Sequence, residues 1–81
     1  MRMDEFREGL EILGRYFDEP GYDLGAEHDT IYVYATDRPL IETDLSRLIE
    51  LGWHQEYNGR DYHEDFSKAD YKPDEGWVAY V

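Results

Sequence analysis

The sequence predicts an α+β domain in which two helices pack on a three- to four-stranded, mainly antiparallel sheet, in the order α-β-α-β-β. Three observations predict it. Apolar residues recur at helical spacing in 1–17 and again in 42–51, they alternate at period two in 30–35, and the apolar run WVAYV stands at 77–81. A chain of 81 residues builds one core and has no second set of elements for another, so a single domain over 1–81 is expected.

The first helix is predicted over 1–17. Phe6, Leu10, Leu13 and Phe17 fall on one face, with Ile12 and Tyr16 at its margins and Asp4 placed as N-cap. Asp4, Glu8 and Glu11 line another face, joined by Glu5, and Glu11 stands one turn before a pairing partner, Arg15. Gly9 and Gly14 each cost about 1 kcal/mol relative to alanine, so tertiary packing must hold this helix, and both suit close approach to the sheet. Asp18-Glu19-Pro20-Gly21 ends it, with Pro-Gly at the centre of a type II turn. Residues 22–29 then read as an acidic linker, with Leu24 and Ala26 tucked under the sheet.

Ile31, Val33 and Ala35 alternate with Tyr32 and Tyr34, which predicts the sheet's first strand with one aliphatic and one aromatic face. After the breaker Asp37-Arg38-Pro39, Leu45, Leu48 and Ile49 share a helix face. Leu40 is placed to staple onto Leu45, Glu42 and Asp44 suit the positive end of the helix dipole, and Gly52 follows Leu51 where an αL cap sits. Trp53 opens the next strand. Tyr57-Asn58-Gly59-Arg60 carries a hairpin signal, because both central residues of a type I′ turn need positive φ. Its register pairs Gln55 with Tyr62 and His54 with His63, yet also sets Glu56 opposite Asp61, a repulsive pair, so hairpin and simple loop both stay open. Lys72-Pro73-Asp74-Glu75-Gly76 reads as a turn, and 77–81 as a buried strand closing the sheet. Trp53 and Trp77 belong to the core, with Tyr16, Tyr32, Tyr34 and Tyr80 completing it. Tyr22, Tyr57, Tyr62 and Tyr71, lying among acids, are interface candidates.

Charge excludes more functions than any motif assigns. Twenty acidic against eight basic residues give a formal net charge of −12, which rules out ordinary binding to nucleic acid and disfavours anionic membranes. A basic partner is favoured instead. Size scaling gives a surface of about 5,000 Å², hence roughly one net charge per 400 Å², while duplex DNA carries one per ~1.7 Å of axis. The domain passes for DNA electrostatically only if its carboxylates crowd together. With no cysteine, no run long enough to span a bilayer and no charged start followed by an apolar run, a soluble intracellular protein is expected.

Catalytic and metal chemistry find little footing. His54, His63, Glu64 and Asp65 would meet if the hairpin formed, but they read as solvated polar positions lacking tight ligand spacing. Asp61, His63 and Asp65 fit the start of a calcium loop, yet Phe66 replaces the required glycine and Lys72 the bidentate glutamate. Ser46, inside a helix, and Ser67, in a polar loop, offer no candidate nucleophile and base pair, and nothing marks one carboxylate pair as buried. Neither an enzyme nor a bound cofactor or metal is expected.

The order of parts carries a family resemblance: an acidic amphipathic helix, then GAEHDTIYVYA, then a helix ending LIELGW, then GWVAYV. In this it resembles small phage-encoded proteins, some of which are anti-CRISPR inhibitors. The resemblance implies an inhibitor in the cytoplasm of an infected bacterial host that mimics DNA. It would act as a monomer on the basic DNA-binding surface of a CRISPR surveillance complex, such as an effector subunit. Such inhibitors share a charge habit and no common signature, so the resemblance assigns no residue a role. The charge pattern itself singles out two rows for the partner: Asp4, Glu5, Glu8 and Glu11 at intervals of about 6 Å along the first helix, and Asp61, Glu64, Asp65 and Asp70 within 61–75. Two other readings share the charge. One is an immunity protein masking a basic nuclease; the other is an acid-surfaced halophilic domain, with which two lysines against six arginines are compatible.

Overall fold

In the computed structural model, which describes residues 1–18, 24–27, 29–57, 60–61 and 66–80, the first helix, α1, spans Met3–Gly14. Its cap is Arg2 and not Asp4. Arg2 has extended backbone, its carbonyl accepts the Phe6 N–H at 3.0 Å, and its own N–H donates to Glu5 Oε1 at 2.9 Å. Glu5 therefore closes the helix start from the third helical position, and Asp4 falls in the first turn, where negative charge suits the dipole. The buried stripe is Gly9, Ile12, Leu13 and Tyr16, so two residues expected at its margins form its centre, flanked by Phe6, Leu10 and Phe17. Gly9 explains the rotation. Trp53 lies where a Cβ on Gly9 would stand, and Phe6 stacks on the same indole at 5.8 Å. Gly14 meets only open space.

The sheet contains a strand that the sequence hid. β1 (Leu24–Glu27) pairs antiparallel with β2 (Thr30–Val33), and β2 with the strand Trp77–Tyr80, in registers running Leu24 to Val33 and Thr30 to Tyr80. The segment read as a linker is thus an edge strand, and Leu24 is exposed on it rather than tucked beneath. Leu-Gly-Ala-Glu has little strand propensity of its own; pairing with β2, two positions away, makes it one.

Between β2 and the last strand lie the second helix and a small ladder. α2 covers Glu42–Glu50, β3 Glu56–Tyr57, β4 Arg60–Asp61, a 3₁₀ turn Lys68–Asp70, and β5 is the strand Trp77–Tyr80. β3 and β4 pair antiparallel as Glu56–Asp61 and Tyr57–Arg60, the register the Asn-Gly signal predicts. Asn58, Gly59, Tyr62 and His63 lie outside the described residues. Trp53 opens no full strand: His54 exchanges backbone hydrogen bonds of 3.1 and 2.7 Å with Val78 on the far side of β5, a single bridge. Trp77, Val78 and Ala79 are therefore buried although β5 ends the three-stranded order, and Tyr80 is half-buried.

Both ends of α2 follow local chemistry. Leu40 and Leu45 sit at the staple positions in one core cluster. At the other end Gly52 adopts φ +97°, its N–H donates to the Ile49 carbonyl and the Trp53 N–H to the Leu48 carbonyl, both at 3.0 Å. This is a Schellman closure, with the buried pair Leu48 and Trp53 as its apolar contact. Tyrosine hydroxyls hold the entry. Tyr16 donates to Asp44 Oδ2 at 2.6 Å and accepts the Ile41 N–H at 3.2 Å, while Tyr71 accepts the Leu40 N–H at 2.9 Å and stacks on Trp77. Tyr71, an interface candidate by sequence, is a structural residue.

Gln55 fixes the remaining turn. Fully buried, it donates from Nε2 to the carbonyls of Lys72 and Glu75 at 2.9 and 3.1 Å and accepts the Lys72 N–H at 2.9 Å. Every polar atom of the amide is used, and the predicted turn at 72–76 is tied to the sheet. Alternation then sorts the sheet's faces. Val33, Trp77 and Ala79 point into the core with Ile12, Leu13, Leu45 and Leu48, whereas Tyr32, Val78 and His54 form a row on the opposite face. Val78 is only 4% exposed yet lies outside the main cluster, so this outer face carries a small packed layer of its own.

Candidate functional site

The four acids predicted on α1 share the helix, but they do not form a bare row of charge. Asp4 is paired with Arg2 at 3.2 Å and Glu5 is occupied by the Arg2 N–H. Glu8 receives two hydrogen bonds from Arg47 of α2, at 2.5 and 2.9 Å, and Arg47 also reaches Glu50 at 3.2 Å. These bonds hold the Glu8 carboxyl below its ordinary pKa and raise that of the Arg47 guanidinium. Arg15, expected to pair with Glu11, reaches across to Asp44 at 3.7 Å instead, because Asp44 is already oriented by Tyr16. Glu11 is left without a cation among the described residues. Glu8, Glu11 and Asp44 thus line a depression between the helices together with Arg15 and Arg47.

The second predicted row is only partly in view. Asp61 stands in β4 opposite Glu56, and Glu64 and Asp65 lie outside the described residues. Asp70 accepts the Ser67 N–H and hydroxyl at 3.0 and 3.1 Å, a cap for the 3₁₀ turn. Elsewhere Arg38 pairs with Asp18, and Lys68 with Glu42 at 3.0 Å.

A different constellation occupies the outer face of the sheet. Tyr32, Tyr34, Glu56 and Asp74 line a groove of about 340 Å³ together with residues of β2, Gly76 and the start of β5. Tyr34, assigned to the core by sequence, is 59% exposed there, since the chain leaves β2 at Val33 and no helix covers this face at its end. Glu56 is held in place: its Oε1 accepts the Tyr80 hydroxyl at 2.6 Å and stands 3.5 Å from His54 Nε2. His54 itself, expected to be solvated, is 1% exposed beneath the edge of Tyr80, centroid to centroid 4.9 Å. Asp74 is carried by the turn that Gln55 anchors. Glu56 and Asp74 thus share a groove with two tyrosines, and among the described residues no arginine or lysine lines it.

No protein-family model, curated protein or solved structure matches the chain. Among the described residues no group of three or more His, Asp or Glu side chains is placed to hold a metal ion, and no helix is long and apolar enough to cross a membrane. The signal for the groove was present in the alternation of Tyr32 and Tyr34. Sequence alone did not say which face of the strand the helices would cover.

Proposed function

We propose that this protein is an acidic inhibitor that occupies the DNA-binding surface of a cationic protein, a CRISPR surveillance complex being the partner that the sequence resemblance implies. One observation carries the reading. Five of the eight basic side chains, Arg2, Arg15, Arg38, Arg47 and Lys68, pair with carboxylates among the described residues, so the net charge of −12 is presented to solvent with little cationic surface to offset it. Over 5,351 Å² this averages about one net negative charge per 450 Å², enough to attract a cationic channel but dilute beside DNA. A surveillance complex grips the duplex largely through its backbone, so carboxylates set against the same lysines and arginines exclude DNA without reproducing its sequence. Complementary potential also speeds encounter, which favours a small inhibitor in competition with long DNA.

The test uses purified surveillance complexes of several types and labelled target duplex in a mobility-shift assay. One of them is expected to lose DNA binding at near-stoichiometric inhibitor, and the inhibitor's affinity is expected to fall by about tenfold or more between 50 and 500 mM salt. Equal affinity at both salt concentrations, or DNA and inhibitor bound together, would rule out a carboxylate-driven mimic.

A further inference from the structure

The geometry points to the tyrosine-lined groove on the outer face of the sheet as the place where arginine side chains of the partner insert, which makes that face, and not α1, the principal contact surface. The inference rests on the reading above that the partner is a basic protein. It is carried by a contrast between the two depressions that contain acids. Between α1 and α2 the carboxylates of Glu8 and Asp44 already hold Arg47 and Arg15, so an incoming cation would have to displace an internal one. On the sheet, Glu56 and Asp74 face a groove in which no described residue supplies a basic side chain, with one aromatic ring half-buried and the other largely exposed.

The chemistry selects arginine. A guanidinium can lie flat on a tyrosine ring while its N–H groups fork toward carboxylates at the groove's edge; an ammonium offers a point charge and no plane. A volume of about 340 Å³ is at the small end of the range for ligand clefts, suited to one or two side chains rather than a folded element. The site is also preorganised. Tyr80 fixes the Glu56 carboxylate and Gln55 fixes the turn bearing Asp74, so little ordering cost remains at binding.

The experiment titrates ¹⁵N-labelled protein with a nona-arginine peptide and, separately, with nona-lysine, following amide shifts and ring-to-guanidinium cross-relaxation. The largest shifts are expected at 32–35, 56 and 74–78, with arginine bound more tightly than lysine. Tyr34→Ala and Asp74→Asn should each weaken nona-arginine by roughly threefold or more, while Asp4→Asn and Glu11→Gln change it less than twofold. Tyr34 and Asp74 are exposed, and the amide spectrum of each variant checks its fold directly. Shifts centred on α1, or undiminished binding by Tyr34→Ala, would overturn the assignment. Failure of the two readings is distinguishable. If a surveillance complex still loses DNA to the Tyr34→Ala variant as readily as to the parent, the groove is refuted and the mimicry stands; if nona-arginine fills the groove while no complex yields its DNA, the reverse holds.

Discussion

At residue scale, Gly9 and Gly14 give opposite answers to one question. Each costs the helix about 1 kcal/mol against alanine, so a propensity argument alone favours replacing both. A methyl at Gly9 would overlap the Trp53 indole, a rigid ring fixed by Phe6 on one side and by the Schellman closure on the other. The ring cannot swing away without opening the core, and overpacking of this kind costs about 1–3 kcal/mol or more beyond the propensity gained. Gly9→Ala should therefore lower stability by roughly 2 kcal/mol, a fall in Tm on the order of 10 °C for a domain of this size, whereas Gly14→Ala should be neutral or slightly stabilising. Thermal unfolding followed by circular dichroism compares the two. A Gly9→Ala protein that melts at or above the parent would mean that Trp53 does not rest on the helix backbone.

At the scale of elements, what the sequence disclosed depends on whether the cause was local. α2 was legible at both ends because its staple, its acidic first turn and Gly52 all lie within a dozen residues. β1 was not, since its strand character comes from pairing, and neither was the burial of Gln55 and His54, which is set by a turn and a strand some twenty residues away. The candidate site divides in the same way: the alternation that places Tyr32 and Tyr34 on one face was readable, while the absence of cover over Tyr34 was a property of the assembled sheet.

The joint between α1 and α2 is also built from a distance, through Tyr16. Tyr16→Phe removes a donor to Asp44 and an acceptor for the Ile41 N–H, both partly buried, and should cost about 1–2 kcal/mol near neutral pH. The same hydroxyl gives an alkaline signature. Burial first, and then its bond to Asp44, raise the Tyr16 pKa above the ordinary value of 10.0, so its stabilising contribution is complete below that pH and drains away as pH climbs toward the folded-state value. Denaturant melts from pH 8 to 11 should show the parent's advantage over Tyr16→Phe shrinking at the alkaline end. An advantage that grows with pH would contradict the clamp.

For the whole molecule, salt acts on folding and on binding with opposite signs, and this separates the proposed function from a general acid-rich surface. Twelve net charges confined within a radius of gyration of 11.5 Å repel one another, and unfolding to roughly 28 Å relieves most of that repulsion. The Debye length shrinks from about 30 Å at 0.01 M to about 8 Å at 0.15 M, below the mean spacing of the net charges, so added salt removes the repulsion from the folded state. The exposed ion pairs weaken at the same time, but each contributes only a few tenths of a kcal/mol. The balance predicts a gain on the order of 1–3 kcal/mol, roughly 5–20 °C in Tm, between 10 and 150 mM sodium chloride, and little change beyond it. A halophilic domain would instead keep gaining into the molar range. Over the interval from 50 to 500 mM, in which folding is improved and then constant, the affinity for a cationic partner should fall, so the loss cannot be ascribed to unfolding. Melting curves and binding isotherms measured in the same buffers decide the matter: affinity and Tm that rise together with salt would mean that the acids serve the fold and not a partner.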